Sequence, residues 1–499
     1  MTVSKTYSAQ IQGIEAYIVT IEVDITHGLH SFSIVGLGDK SIEESKDRIS
    51  AAIKNSGFTS PKQKNQKVVI SLAPAYMKKG GSSFDLAMAI AYLKTAGEIH
   101  FDSEKIIFLG ELSLDGNISE VSGILAMIQS AKKHGFEKIY IPKSNTSEAA
   151  LIQGVSIFPV KNMREVINHL EQKISIDPLV RHSHSTQRSS SEPEEDFSKI
   201  YGQENAKRAL EIAAAGKHNI VLYGPPGTGK TTLARAFISI LPDLSLDETI
   251  ESAHIHSISK NIQAEITSTP PFRSPHHSSS AISIIGGGNS LRPGEITLAH
   301  RGVLFMDEFP EFDRKIIDSL RQPLEDKSIN ISRANGTLTY PADFILIGSM
   351  NPCPCGYTLS ESNLKKCVCT DYEKIKYRKK ISGPIVDRID LWAHLSKATY
   401  TKDDLGETSK NTLKSSATIK GHVQNSRIFA EKNKHMKQYQ NISDLVRKIL
   451  IQFSKKYDIS NRAYLKTIAV ARTIANLDES VEIKEKHLLE ALQYRQKML

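Results

Sequence analysis

The chain has 499 residues, of which 39% are hydrophobic and 24% charged, and its formal net charge is +9. This composition is typical of soluble globular proteins and allows a sizeable core, and the length predicts about three domains. The chain has no apolar run long enough to span a bilayer, and its first residues lack the apolar core of a signal peptide, which predicts a cytoplasmic protein with no membrane partner. The basic excess is compatible with nucleic acid, but a solvated basic surface explains it equally well.

Residues 1–170 are predicted to form a strand-rich α/β domain. Val19, Ile21 and Val23 alternate with polar residues, which is the period of a half-buried strand. Residues 171–197 are polar and Ser-rich, so we predict a flexible linker. Its His182 and His184 have no further candidate ligands nearby, and we interpret the pair as incidental. Further strands are predicted at residues 67–74, 105–116 and 138–142, and helices at residues 85–95 and 121–134.

A phosphate-binding loop is predicted at residues 224–231, which fit the pattern G-x-x-x-x-G-K-[ST] without a mismatch. The loop follows a short apolar run that predicts a buried strand, and it precedes a helical pattern, so backbone N–H groups and a helix N-terminus can bind phosphate there. Lys230 would contact the β- and γ-phosphates and Thr231 would hold Mg²⁺, whereas a plain Gly-Pro turn leaves the Lys-Thr pair unexplained. The predicted ATP-binding residues are Gly224, Pro225, Pro226, Gly227, Thr228, Gly229, Lys230, Thr231 and Thr232.

An insertion over residues 243–300 follows the first helix of this domain, and its glycines predict a hairpin or a mobile loop. His276 and His277 are adjacent in it. Neighbouring side chains of an extended segment point apart, so we do not expect joint metal binding. A contact with nucleic acid or a neighbouring subunit and a simple turn remain equal alternatives.

Two further strands are predicted to end in polar residues. The apolar run 303–306 precedes Asp307 and Glu308, and the carboxyl end of a parallel strand is where open α/β sheets bind ligands. Asp307 would hold Mg²⁺ and Glu308 would act as general base toward water, the alternative being an acidic turn. The run 344–349 precedes Asn351, which would bind the attacking water or the γ-phosphate, the alternative being a helix cap.

The four cysteines stand as two C-x-C pairs in one short segment. Four thiolates can form a tetrahedral zinc site, although C-x-x-C is the more usual spacing. We favour a structural Zn²⁺ over reduced surface thiols. The predicted ligands are Cys353, Cys355, Cys367 and Cys369.

The C-terminal part of the chain carries two arginines of interest. Arg388 lies between a predicted short helix and a final strand, outside the site that one chain forms. Arg462 begins an amphipathic helix with Leu465 and Ile468 on its apolar face, and because helix N-termini prefer acids, an arginine there indicates contact with a phosphate. The basic run 374–380, with Tyr377 inside it, is either a contact to a nucleic-acid backbone or a solvated helix face.

The first domain contains two segments, PAYMKKGGSSFDLAMAIAYL and GELSLDGNISEVSGILAMIQSAKKHGFEKIYIP, that resemble the Lon-protease C-terminal domain, a ribosomal-S5-like fold. Ser82 matches the nucleophile position, but Leu125 stands where protease members carry the Lys base. A serine without a base is a poor nucleophile. The resemblance therefore implies a non-proteolytic scaffold or a DNA-contacting platform.

The whole chain resembles the ComM/YifB family of Mg-chelatase-like AAA+ ATPases. The segments that carry this resemblance are GPPGTGKT, PFRSPHHS, PGEITLAHRGVLFMDE, NPCPCG, SGPIVDRID and NRAYLKTIAVARTIA. It implies an α/β multidomain protein with a Lon-like domain over residues 1–170, a P-loop AAA+ core with a parallel sheet over 198–399 and a helical lid over 400–499. It also implies a homo-oligomer, a hexameric ring with ATP at subunit interfaces, in which Arg388 is the arginine finger and Arg462 the sensor-2 arginine.

Members of this family are implicated in branch migration of DNA during natural transformation. The resemblance thus implies ATP hydrolysis coupled to remodelling of single-stranded or branched DNA. The alternative is an ATPase chaperone that drives Mg²⁺ insertion into a porphyrin. The fused Lon-like domain and the lack of a recognisable integrin-like partner domain favour the DNA motor, and the full set of hydrolysis residues argues against a non-enzymatic DNA-binding scaffold.

Overall fold

The computed structural model describes residues 3–38, 40–77, 79–179, 195–259, 267–288, 292–333, 336–358, 366–396, 415–433, 442, 444–457 and 460–495. The chain forms two compact units: an N-terminal unit of residues 1–186 with 249–266, and a C-terminal unit of residues 187–248 with 267–499. His182, His184 and most of the predicted linker lie outside the described residues. No helix in the described part of the chain combines the length and the apolar character that crossing a bilayer requires.

The helices and strands of the first half of the chain are β1 (Ser4–Gln12), β2 (Glu15–His27), β3 (Ser31–Val35), α1 (Lys40–Asn55), β4 (Gln66–Ala73), α2 (Asp85–Thr95), β5 (Ile106–Phe108), β6 (Glu111–Leu112), β7 (Ile118–Ser119), α3 (Ile124–Lys133), β8 (Lys138–Pro142), α4 (Thr146–Ala149), β9 (Ser156–Val160) and α5 (Met163–Leu170). Those of the second half are α6 (Glu204–Gly216), β10 (Ile220–Tyr223), α7 (Lys230–Ile240), α8 (Leu246–Ile258), β11 (Phe272–Arg273), α9 (Ala281–Ile285), β12 (Gly286–Gly287), β13 (Arg292–Pro293), α10 (Glu295–Leu298), β14 (Val303–Met306), α11 (Arg314–Ser319), α12 (Arg321–Asp326), β15 (Ser328–Arg333), β16 (Gly336–Pro341), β17 (Ile345–Met350), α13 (Asp371–Arg378), α14 (Gly383–Val386), β18 (Leu391–His394), α15 (Ser416–Lys432), α16 (Asp444–Tyr457), α17 (Asn461–Leu477) and α18 (Glu485–Gln493). Short 3₁₀ turns occur at Pro61–Gln63, Lys143–Asn145, Phe197–Lys199 and Phe309–Glu311.

The N-terminal unit contains a four-stranded sheet in the order β1-β2-β4-β3 and a parallel sheet in the order β5-β8-β9. Val19, Ile21 and Val23 are fully buried, which confirms the predicted alternation of β2. The single strand predicted over residues 105–116 is wrong. Strand β5 ends at Phe108 and β6 begins only at Glu111, because the backbone of Gly110 bonds to Ser83 and Leu86 instead of to a strand. The Asp115-Gly116 pair, a turn signal in the sequence, does lie in a turn, which Ser113 N closes by donating to Asn117 O at 2.9 Å.

Residues 249–266, which follow the phosphate-loop helix in sequence, belong to the N-terminal unit. Ser257 Oγ accepts a hydrogen bond from Gly123 N at 2.9 Å and donates one to Glu148 Oε2 at 3.0 Å. Ala253 packs in an apolar cluster with the fully buried Leu125. Part of the insertion therefore completes the core of this unit, and no local pattern in the sequence predicted that.

The C-terminal unit is built on a five-stranded sheet in the order β11-β14-β17-β10-β18, with every neighbouring pair parallel. Strands β14 and β17 are buried along their whole length, as expected of parallel strands covered on both faces. This confirms the predicted α/β class with a parallel sheet. Because all five strands run the same way, their carboxyl ends, and the residues that follow them, meet at one edge.

The helices of the predicted lid share one core with the sheet. Ile468 and Ile474 of α17 pack in the same cluster as Phe237 of α7 and Ile212 of α6. Leu465, which was predicted on the apolar face of α17, is 46% exposed, because the buried side chains Ala463, Thr467 and Ile474 recur on the opposite side of the helix. The first part of the predicted lid, up to residue 414, lies outside the described residues.

Candidate active site

The loop over residues 224–231 connects β10 to α7 at the carboxyl edge of the parallel sheet. Gly227 and Gly229 adopt left-handed φ values of +76° and +85°, which favour glycine. A Cβ on Gly224 would lie 2.2 Å from the carbonyl oxygen of Leu395, whereas a Cβ on Gly227 or Gly229 would meet no atom within 4 Å. The loop is thus fixed at its base and open along its turn, a shape that fits a phosphate cradled by backbone N–H groups.

Lys230 lies across this loop. Its Nζ donates to the carbonyl oxygens of Gly224 at 2.8 Å and Pro225 at 2.9 Å, and to Asn351 Oδ1 at 3.2 Å. Burial lowers the pKa of Lys230, and the negative charges of Asp307 and Glu308 oppose that effect. The structure therefore brings the predicted lysine and the predicted sensor Asn351 into direct contact.

Asp307 accepts hydrogen bonds from several groups of the site. Its Oδ2 accepts a hydrogen bond from Thr231 Oγ1 at 3.0 Å, and its Oδ1 accepts one from Ser349 Oγ. A hydroxyl and a carboxylate side by side are hard oxygen ligands of the kind that Mg²⁺ prefers. Ser349 was not predicted as a site residue, although a hydroxyl in an otherwise apolar strand could have indicated it.

Glu308 has the left-handed φ of +52°, which is uncommon for a residue other than glycine and marks a constrained position. Its backbone N–H donates to Ser349 Oγ at 3.2 Å and to Asp307 Oδ1 at 3.1 Å. Its side chain is exposed, and Oε2 lies 3.3 Å from His277 Nδ1. The backbone of the general-base candidate is thus fixed while its carboxylate projects from the sheet edge.

His276 and His277 do not point apart as predicted. Their ring centroids lie 4.2 Å apart, because residues 276–279 form a turn, closed by Ser279 N donating to His276 O at 2.9 Å, instead of an extended segment. No local pattern indicated that His277 would contact Glu308, since the two residues belong to different segments. A contact of either histidine with nucleic acid stays a prediction.

Arg388 and Arg462 meet at a single carboxylate. Nη2 of each guanidinium contacts Glu325, which accepts at Oε2 from Arg388 and at Oε1 from Arg462. Arg462 is the second residue of α17, whose start is capped by Ser460 Oγ accepting from Ala463 N at 3.2 Å. Among the described residues, neither arginine contacts the phosphate loop. In this chain both contact Glu325 and not the group formed by Lys230, Asp307 and Glu308, and their roles in hydrolysis stay predictions.

Lys466, one helical turn after Arg462, anchors this region to the sheet. Its Nζ donates to the carbonyl oxygen of Arg388 at 2.6 Å and to Asp390 Oδ1 at 2.5 Å. Asp390 Oδ2 in turn accepts from the backbone N–H of Asn219 at 2.8 Å. Burial lowers the pKa of Lys466, and the Asp390 carboxylate opposes that effect. The loop around Arg388 is thus fixed between the lid helix and the start of β10.

The four cysteine thiols converge on one point. Cys353 Sγ lies 3.4 Å from Cys355 Sγ and 3.8 Å from Cys367 Sγ, Cys355 Sγ lies 3.5 Å from Cys367 Sγ, and Cys369 completes a group whose sulfurs all lie within 4.8 Å. These distances exceed an S–S bond of about 2.05 Å. A Zn–S length of about 2.3 Å gives a tetrahedron with edges of about 3.8 Å, so the arrangement fits zinc.

The thiol of Cys355 is surrounded by donors that favour its ionised form. Burial would raise the pKa of this thiol, but the backbone N–H groups of Tyr357 and Val368 stabilise the thiolate and bring that pKa down to about 6. Metal ligation by cysteine requires the thiolate. The thiolate form of Cys355, which can bind a metal cation, is therefore favoured.

The basic run 374–380 is largely helix α13, which begins with a capping box between Thr370 and Glu373. Lys374 pairs with Asp371 at 3.0 Å and Lys380 with Glu311 at 2.7 Å. Tyr377 is buried, so it is not available to stack on a base. These contacts favour the helix-face interpretation over the contact with nucleic acid.

The position of Ser82 in the N-terminal unit lacks the lysine of a Ser–Lys protease. Ser82 Oγ donates to Glu111 Oε2, and the buried Lys79 donates its ammonium to the carbonyl oxygen of Pro74. Leu125, at the position of the protease Lys, is fully buried in an apolar cluster. The hydroxyl of Ser82 is thus bonded to a carboxylate, and no lysine amine contacts it among the described residues.

Three family models match the chain. One described as magnesium chelatase, subunit ChlI, matches residues 196–403, one described as subunit ChlI of Mg-chelatase matches residues 21–145, and one described as magnesium chelatase, subunit ChlI C-terminal, matches residues 413–495. Together they cover the phosphate loop, strands β14 and β17 and most of the predicted lid.

Similar proteins span nearly the full chain. The uncharacterized protein YifB of Escherichia coli K12 is 37% identical over 510 residues, which covers 99% of this chain and 97% of that protein. The competence protein ComM of Haemophilus influenzae Rd is 36% identical over 512 residues, covering 99% of this chain and 98% of that protein. An archaeal Lon protease of Methanocaldococcus jannaschii is 29% identical over 103 residues, 21% of this chain and 16% of that protein.

Proposed function

Because the chain belongs to the ComM/YifB family of Mg-chelatase-like AAA+ ATPases, we propose that it is a ring-forming motor that couples ATP hydrolysis to the remodelling of DNA. The observation that carries the ATPase assignment is the pair of contacts Thr231–Asp307 at 3.0 Å and Lys230–Asn351 at 3.2 Å. They join residues of three different strand ends into one phosphate site.

Each residue of this site has a defined chemical role in the proposal. The loop N–H groups and Lys230 bind the β- and γ-phosphates, and Thr231 with Asp307 holds Mg²⁺, which when bound neutralises charge on the phosphates. Asn351 orients the attacking water. Glu308 accepts a proton from that water at its carboxylate, which projects from a fixed backbone.

The proposed ring places Arg388 and Arg462 at the phosphates of a neighbouring subunit. Support comes from their position: in this chain both side chains contact Glu325 and not the phosphate loop. A guanidinium supplied across an interface stabilises charge on the transferring phosphoryl group, an effect of about 10³ to 10⁵ in rate. Hydrolysis would then require assembly into a ring, which we propose to be a hexamer.

DNA is the proposed partner. Support comes from the name of the competence protein ComM, to which the chain is similar along its full length, and from the net charge of +9. An ATPase chaperone for metal insertion into a porphyrin is the second candidate, which the magnesium-chelatase family models favour. Single-stranded or branched DNA should raise the ATPase rate of the motor, and its binding should weaken steeply with salt.

The deciding experiment compares wild type with Glu308→Gln in an ATPase assay and in a three-strand branch-migration assay. We expect wild type to hydrolyse ATP and to move the branch, and Glu308→Gln to bind ATP while losing both activities. ATP hydrolysis that ignores DNA but rises with a porphyrin-chelatase partner would instead support the second candidate.

The cysteine cluster is proposed to hold a structural Zn²⁺, supported by sulfur separations of 3.4 to 3.8 Å between three of the thiols.

The N-terminal unit is proposed to be a non-proteolytic scaffold or DNA-contacting platform. Peptidase activity of the full chain that is lost in Ser82→Ala would contradict the non-proteolytic role.

A further inference from the structure

Glu325 occupies a position that neither a motif nor the proposed roles explain. It lies in α12, and its two carboxylate oxygens are divided between two arginines, with Oε2 at Arg388 and Oε1 at Arg462. Two guanidinium groups repel each other when they approach, and the carboxylate between them offsets that repulsion. One negative charge against two positive charges leaves the cluster with an excess of positive charge, so the two arginines remain attractive to an anion.

Both terminal nitrogens of Arg388 are engaged in this structure, and one terminal nitrogen of Arg462 is. Arg388 is only 9% exposed, its Nη1 donates to Pro384 O at 2.6 Å, and its buried Nε has no hydrogen-bond partner among the described residues. To offer a terminal nitrogen to a phosphate, Arg388 would have to give up its contact with Glu325 or with Pro384 O. Arg462 is 44% exposed and gives one of its nitrogens to the same carboxylate. Glu325 therefore competes with phosphate for both side chains.

We propose that Glu325 is a positioning residue that retains Arg388 and Arg462 together and so restrains ATP hydrolysis until its carboxylate is displaced. The inference rests on the proposed function only in that both arginines act on the phosphates of ATP. It requires no role for DNA.

The place of Glu325 in the fold supplies a means of displacing it. Helix α12 ends at Asp326, Lys327 adopts the left-handed φ of +56°, and the β15–β16 hairpin begins at Ser328. Gln322 Oε1, in the same helix, accepts from Asn330 N of that hairpin at 3.2 Å. A force on the hairpin would therefore be transmitted to the helix that carries Glu325.

The backbone around Arg388 is anchored separately. Lys466 donates to the Arg388 carbonyl oxygen at 2.6 Å, and this contact does not involve Glu325. Loss of the carboxylate would thus free the two guanidinium groups without releasing the loop or the lid helix. A change at Glu325 should act on turnover more than on folding.

The test is the ATPase rate of the full chain with Glu325→Gln and Glu325→Asp. A neutral amide replaces charge-assisted bonds with weaker ones, so we expect kcat of Glu325→Gln to rise about threefold to tenfold with KM for ATP unchanged. Glu325→Asp keeps the charge on a shorter side chain and should fall between wild type and Glu325→Gln. The matched control is Glu22→Gln, which removes a carboxylate of similar exposure, 35%, that pairs with Lys5 at 2.8 Å.

A double mutant separates this mechanism from a structural effect. If Glu325 acts through the arginines, the gain from Glu325→Gln should shrink markedly in an Arg462→Ala background. A kcat of Glu325→Gln at or below wild type would overturn the proposal, as would a gain that persists unchanged without Arg462. If Glu325→Gln does not fold, a kcat of Glu325→Asp at or below wild type overturns it equally. If DNA does not change the ATPase rate of the wild type, the DNA-motor proposal is refuted. The Glu325 variants can still be interpreted, because their comparison depends only on ATP hydrolysis.

Discussion

The hydroxyl of Thr231 donates a hydrogen bond to Oδ2 of Asp307 at 3.0 Å, across 76 positions of the sequence. Thr231 is the second residue of α7 and the last of the phosphate loop, and Asp307 follows β14, which is not the neighbour of β10 in the sheet. Strand β17 lies between them and supplies Ser349 to the other oxygen of Asp307. The two proposed magnesium ligands and the hydroxyl that supports Asp307 therefore come from the ends of three adjacent strands.

Substitution Lys230→Ala should abolish nucleotide binding, because it removes the only side-chain cation that contacts the phosphate loop among the described residues. Binding of a fluorescent ATP analogue measures this directly. Lys5→Ala, which removes a surface lysine paired with Glu22, is the control and should bind as wild type does. Undiminished binding by Lys230→Ala would contradict the phosphate assignment.

Substitution Ser349→Ala should lower kcat about fivefold to tenfold, since it removes the hydroxyl that holds both Asp307 Oδ1 and the backbone N–H of Glu308. Steady-state ATPase kinetics give the value. Ser454→Ala is the control, because its hydroxyl donates to a carbonyl oxygen of its own helix, that of Ile451. Unchanged kcat in Ser349→Ala would show that the hydroxyl does not support the site.

Substitution Arg388→Ala should reduce hydrolysis by about 10³ or more if the guanidinium acts on the phosphoryl group. Mixing Arg388→Ala with Glu308→Gln subunits should restore part of the rate, because some interfaces would then combine an intact base with an intact arginine. Each variant alone, at the same total concentration, is the control. Mixed rings with no more activity than the separate variants would rule out a site shared between neighbours.

Substitution Cys355→Ser should lower the zinc content well below about one ion per chain and lower the melting temperature, because it removes one of four convergent ligands. Metal analysis of the purified protein and a thermal melt measure both effects. Val368→Ala, between Cys367 and Cys369, is the control, because its side chain is exposed and carries no ligand atom. A wild-type protein that contains far less than one zinc per chain would end the zinc proposal.

Much of the fold followed from local patterns. The alternation along β2, the helix at Asp85–Thr95 and the strand at Lys138–Pro142 agree with the sequence prediction, because the period of apolar residues is a local property. The prediction failed where backbone contacts from another segment end a strand, as between Phe108 and Glu111, and where it placed the exposed Leu465 on the apolar face of α17 beside the buried Ile468.

The sequence by itself determined the chemical groups of the site. The glycines, Lys230 and Thr231 form one contiguous pattern, and Asp307, Glu308 and Asn351 follow apolar runs that predict strands, so their meeting at one sheet edge could be expected from parallel topology alone. Only the tertiary structure decided which other side chains contact these residues and the two arginines. Ser349 under Asp307, His277 beside Glu308 and Glu325 between Arg388 and Arg462 are contacts between distant segments. Such contacts depend on how strands and helices pack, and no local periodicity encodes that.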